Sequence, residues 1–148
     1  MNNIKQSQFI DTNKDLKHLS LELISWSESS WWPKDILMSI KIVSSKENLV
    51  IYRYAVKLPF APSWQARKSL EDRDKGYLRR DFLDGLFRGG FEEVSLERKE
   101  KGFEMIYNFC YEINNFIDKF FWDWGFKYLH KKNIDKVLNS FKNYIEQT

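Results

Sequence analysis

A chain of 148 residues with 43% hydrophobic and 30% charged residues has the balance of one globular domain, which excludes a disordered or fibrous protein. Its net charge of +3 is too small to mark a dedicated nucleic-acid binder. No apolar run reaches the length of a membrane span, and a single cysteine, Cys110, excludes an internal disulfide.

Residues 1–15 (MNNIKQSQFIDTNKD) are polar and read as a poorly ordered tail, leaving 16–148 as the domain. They hold no apolar stretch of a secretory signal, so a reducing cytoplasm is the expected location. In "LKHLSLELISW", Leu19, Leu21 and Leu23 alternate and predict a first strand. "DILMSIKIV" alternates through Met38, Ile40 and Ile42, and "NLVIYRYAVKLPF" through Val50, Tyr52, Tyr54 and Val56. The polar "SSKEN" between them suits a hairpin, giving a three-stranded meander. In "GYLRRDFLDGLFRGG", Leu78, Phe82, Leu83, Leu86 and Phe87 recur at helical spacing before the Gly89-Gly90 stop.

Period two returns in "FEEVSLERKEKGFEMIYNFCYEI". Val94 and Leu96 lead to a turn at "KEKG", and Phe103, Met105, Tyr107, Phe109, Tyr111 and Ile113 then form the strongest strand signal in the chain. The segment 116–126 fits a helical face or a sixth strand, and the strand is preferred. Asn133 reads as the cap of a helix with Ile134, Val137, Leu138, Phe141 and Ile145 in one stripe. The expected architecture is α+β: one antiparallel sheet of five to six strands with two helices on one face.

Little chemistry is legible. His18, His130 and Cys110 lie on three separate elements, without the short paired spacings of a zinc site. "GLFRGG" ends a helix in this reading and does not follow a strand, so it is no phosphate loop. Asp81 and Asp84 sit among Arg79, Arg80 and Arg88, where solvated ion pairs explain them. No catalytic residue, metal or cofactor is expected, and the chain reads as a binding protein and not an enzyme.

The loops offer contact candidates. Trp31 and Trp32 are adjacent in "SESSWWPKD", and on a strand adjacent side chains point to opposite faces. Trp64 follows Pro59 and Pro62 and precedes Arg67, Lys68 and Arg73. Tryptophan and arginine are enriched at binding hot spots, which makes Trp31, Trp32, Trp64, Arg67 and Arg73 the expected partner-binding residues.

The segments "LSLELISWS", "DILMSIKIVSS", "RRDFLDGLFRGG", "VSLERKEKGFEMIYNFCYEI" and "NIDKVLNSFKNYI" follow one another in an order that resembles small bacterial immunity proteins of the WapI type. The resemblance spans roughly residues 16–147 and implies a cytoplasmic protein that neutralises a cognate toxin by occlusion. The alternative is a nucleic-acid-associated protein, using residues 64–80, with six basic residues against three acidic, and the C-terminal helix. No membrane partner is expected.

Overall fold

The computed structural model describes residues 1–148 and holds one antiparallel sheet of seven strands. The strands are β1 (Asn2–Asp11), β2 (Met38–Lys46), β3 (Leu49–Val56), β4 (Ser63–Asp72), β5 (Tyr77–Phe82), β6 (Phe91–Lys99) and β7 (Gly102–Tyr111). Their spatial order is β1-β7-β6-β5-β4-β3-β2. Three helices complete the chain: α1 (Leu16–Ser25), α2 (Phe116–Phe121) and α3 (Lys127–Gln147). A π-helical turn, Trp122–Phe126, joins α2 to α3. Because β1 and β2 are opposite edges, the chain crosses the whole sheet between them, and α1 lies on the way against β5 and β6.

The α+β class is as expected, with seven strands in place of five to six. The row Phe103, Met105, Tyr107, Phe109 and Tyr111 is wholly buried beside Ile134, Val137, Leu138, Phe141 and Ile145 of α3. Each such side chain contributes about 1.5–3 kcal/mol by leaving water. The hairpins at "SSKEN" and "KEKG" form where the turn residues put them.

Five expectations need correction. Residues 2–11 are no tail: β1 pairs with β7 from Asn2↔Tyr111 to Asp11↔Gly102 and buries Ile4 and Ile10. Its inward Gln6 donates to the Lys131 carbonyl at 2.9 Å and to Asp135 at 2.8 Å, so a polar side chain fastens the strand to α3. Residues 16–25 are helical. The Asp15 carboxylate caps them by accepting the His18 N–H at 2.9 Å, and Leu19, Leu23 and Ile24 form the buried face. The helix expected over 77–88 is β5 followed by one 3-10 turn, Gly85–Phe87, with Leu78, Arg80 and Phe82 all pointing inward. The sixth strand expected over 116–126 is α2 and the π turn. Asn133, expected as a cap, lies inside α3, where its Oδ1 accepts the Leu37 N–H at 3.2 Å.

Gly102 opens β7 where β1 passes closest. A β-carbon there would stand 1.9 Å from the Ile10 carbonyl oxygen and 3.1 Å from the Thr12 nitrogen, both backbone atoms. Gly102→Ala must therefore push β1 off the sheet. A loss of about 3 kcal/mol is expected, read as a lower midpoint in urea unfolding.

Candidate functional site

The inward face of the sheet carries a polar chain where a core would ordinarily be apolar. β3 supplies Tyr52 and Tyr54, β5 supplies Arg80, β6 supplies Glu92 and β7 supplies Tyr107. Arg80 is 1% exposed, and its guanidinium stacks 3.7 Å above the Tyr52 ring. Its Nη1 donates to the Tyr54 hydroxyl at 3.0 Å and to Ser27 at 3.0 Å. Tyr54 donates to one oxygen of Glu92, and Tyr107 donates to the other at 2.6 Å. Two tyrosines thus hold a buried carboxylate, and one of them links it to a buried cation.

Burial raises the Tyr54 and Tyr107 hydroxyls well above their usual range, so both remain donors at any physiological pH. Tyr52 is raised to about 12, first by desolvation and then by the facing Glu28, which accepts its hydroxyl at 3.1 Å. Burial alone would lower the pKa of Arg80, but Tyr54, Tyr52 and Glu92 more than offset it, and the guanidinium stays charged. Arg80 Nε and Nη2 have no acceptor within the protein. Arg80 also lines a space of about 10 Å³, room for about one water, beside Trp26 and Tyr107.

The chain continues to α3. The Tyr107 hydroxyl lies 3.4 Å from His130 Nε2, and the imidazole packs on Phe109 with centroids 4.3 Å apart. Burial lowers the His130 pKa to about 3, so the ring is neutral across the physiological range.

His130 also lines a second space, shared with Trp64, Phe87, Trp122, Phe126 and Leu129. Phe87 sits between the two indoles, 4.9 Å from Trp64 and 5.0 Å from Trp122, edge-on to both. The indole N–H groups of Trp64 and Trp122 are buried and have no acceptor within the protein. The space left is about 10 Å³, so the pocket is closed. Val56 and Pro62, which flank the loop 57–61, line it together with Trp122 and Phe126 of the π turn. A π turn is a frequent mark of a functional segment, and Gly125 within it has open space where a side chain would stand.

The five residues expected at a partner interface do not share a surface. Trp31 is buried, its Nε1 donating to the Glu22 carbonyl at 3.0 Å and its ring edge-on to Phe141 at 4.9 Å. Trp32 is half-buried, 5.2 Å from Trp26. Both indoles of the adjacent pair therefore fold over Trp26, which a strand could not have allowed. Trp64 is in the core. Arg67 is exposed on β4, and Arg73 is exposed at the β4–β5 turn, 3.6 Å from Glu71. Sequence reasoning missed Tyr54, Arg80, Glu92, Tyr107, Trp122 and His130. The available signal was parity: Arg80 alternates with Leu78 and Phe82, and Glu92 with Val94 and Leu96.

No protein-family model and no curated protein matches the chain. Solved structures do. An 18 kDa protein of Caulobacter crescentus is 12% identical with a TM-score of 0.72, over 99% of this chain and 97% of that one. The Zhui aromatase/cyclase of Streptomyces sp. R1128 is 10% identical with a TM-score of 0.70, over 99% and 94%. A START superfamily protein of Mycobacterium smegmatis is 8% identical with a TM-score of 0.63, over 98% and 97%. What they share with this chain is the fold.

That finding overturns the toxin-neutralising reading. Proteins of this fold include an aromatase/cyclase and a START superfamily protein, and the element order that suggested an immunity protein is not the order observed. The nucleic-acid alternative fails on local chemistry as well. Residues 64–80 form the β4–β5 hairpin, in which Lys68 and Arg73 pair with Glu71, Arg79 pairs with Asp81, and Arg80 is buried.

Proposed function

We propose that the protein binds a small, flat, largely apolar molecule bearing an oxygen acceptor, in the interior between the sheet and the start of α3. The observation that carries this reading is the pair of buried indole N–H groups without an acceptor, on Trp64 and Trp122, two residues that line one aromatic pocket. A buried donor left unpaired costs about 1–3 kcal/mol, a cost a carbonyl or phenol oxygen would remove. The fold supports the same reading, because an aromatase/cyclase and a START superfamily protein share it. We propose binding without chemistry: burial makes His130 a weak base, with its pKa lowered to about 3, and both Glu92 oxygens are engaged by tyrosine hydroxyls. A reducing cytoplasm remains the proposed location, consistent with the lone Cys110, whose thiol burial keeps protonated.

Entry requires the π turn and the loop 57–61 to part, since the pocket is closed at rest. Affinity is then reduced by the fraction of molecules that are open. Titration with flavone, anthraquinone and 2-naphthol, followed by tryptophan fluorescence, is expected to give saturable one-to-one binding of at least one. Trp64→Phe and Trp122→Phe keep a ring but remove the donor, and each is expected to weaken that binding about 2–10-fold. The reading fails if none of the three saturates, or if both variants bind as the parent does.

A further inference from the structure

Helix α2 has no buried residue, yet it is made of Phe, Ile, Asp, Lys, Phe and Phe. Phe116 is 84% exposed and Trp124 74%, and Ile117, Phe120, Phe121 and Tyr128 are exposed with them. Spaced at 116, 117, 120, 121, 124 and 128, they form one outward stripe running from α2 across the π turn into α3. Phe116, Phe120 and Trp124 line a shallow groove with Lys119 and Asp123. A second apolar projection lies at the same end of the molecule. In the loop 57–61, Phe60 is 105% exposed and Leu58 is exposed beside it, and the loop's flanks meet Phe126 and Leu129.

The charges around these projections are one-sided. Lys57, Lys119, Lys127, Lys131 and Lys132 stand against Glu112, Asp118 and Asp123, an excess of two. None of those five lysines is in an ion pair.

We propose that this end of the protein docks on an anionic lipid surface, with α2, the π turn and the Phe60 loop entering the headgroup region. Phe and Trp are the side chains that settle at the boundary between headgroup and acyl chain, and lysines beside them meet lipid phosphates. Two apolar projections carried on separate segments, one helical and one a loop, suit a deformable surface. No helix of this protein is long and apolar enough to cross a membrane, so the contact is peripheral. This revises the expectation of no membrane partner, and it stands independently of what the interior binds.

The test is co-sedimentation of the full chain with vesicles of phosphatidylcholine alone and of phosphatidylcholine with about one-third phosphatidylglycerol. Binding to the anionic vesicles is expected, with a blue shift of tryptophan emission as Trp124 leaves water. It should weaken near 1 M salt, where charges are screened beyond about 3 Å. The triple variant F116S/F120S/W124S changes only exposed positions, and it is expected to keep the parent's thermal midpoint and to bind at least about tenfold more weakly. The charge variant K119E/K132E should lose the preference for phosphatidylglycerol. The proposal is overturned if the parent binds neither vesicle, including the case where it instead forms a dimer that the triple variant abolishes. It is equally overturned if the triple variant binds as the parent does.

Discussion

Arg80→Ala is expected to destabilise the protein by about 3–5 kcal/mol, the range for removing one partner of a buried charge pair. The cost arises on the other side of the network. Glu92 would keep its two tyrosine donors but lose the cation to which Tyr54 connects it, in surroundings that admit at most one water. Tyr52 would lose the guanidinium stacked on its ring, and Ser27 its donor. Arg80→Lys is expected to fall near the alanine variant, because a compact ammonium cannot stack on Tyr52 while donating to Ser27 and Tyr54. The double variant R80M/E92M leaves no lone charge and should be milder than R80A. Urea unfolding of the three variants measures all of this. A cost below about 1 kcal/mol for Arg80→Ala would show that the network contributes little.

The second large effect is a dependence on acid centred on His130. The folded pKa, about 3, lies below the value of 6.5 for an unburied imidazole. Between those two values the unfolded chain binds a proton that the folded chain refuses, so stability falls as pH falls. It is fully present above pH 6.5, and its loss is complete near pH 3. The slope approaches about 1.4 kcal/mol per pH unit, for about 5 kcal/mol over the whole window. Since carboxylates titrate in the lower part, the upper part isolates the imidazole. His130→Phe is expected to flatten the stability profile just below pH 6.5. An unaltered slope in His130→Phe would contradict the burial of a neutral ring.

What the sequence shows and what it hides divide along physical lines. β7 is legible because five large apolar residues alternate without interruption, and α3 because Ile134, Val137, Leu138, Phe141 and Ile145 share one stripe. β5 is hidden because its middle inward residue is Arg80: a charged side chain at a core position breaks period two and leaves the helical spacing of Leu78, Phe82 and Leu83 to mislead. The residue that obscures the strand is therefore the one that builds the site, as expected where a polar network replaces packing. β1 is hidden for a related reason, since its inward Gln6 bonds to α3 instead of packing against it. In α1, Leu19, Leu21 and Leu23 suit a strand equally well, and only the cap at Asp15 and the pairing of Leu19 with Leu23 distinguish a helix. The segment 116–126 cannot be read from core-facing periodicity, because its apolar stripe faces outward. The pocket is out of reach by its nature: Trp64, Phe87, Trp122 and His130 come from four separate elements.

The most direct test of the interior as a ligand site is the indole N–H region of a proton–nitrogen NMR spectrum, in which the six tryptophans give six resolvable signals. Those of Trp64 and Trp122 should lie upfield, as donors without an acceptor, and the signal of Trp31 downfield, because it donates to the Glu22 carbonyl. On adding whichever of flavone, anthraquinone or 2-naphthol binds, the Trp64 and Trp122 signals are expected to move downfield together and saturate, while Trp31 stays in place. If that pair does not respond while the exposed Trp124 does, the ligand sits on the surface and the interior is a closed core.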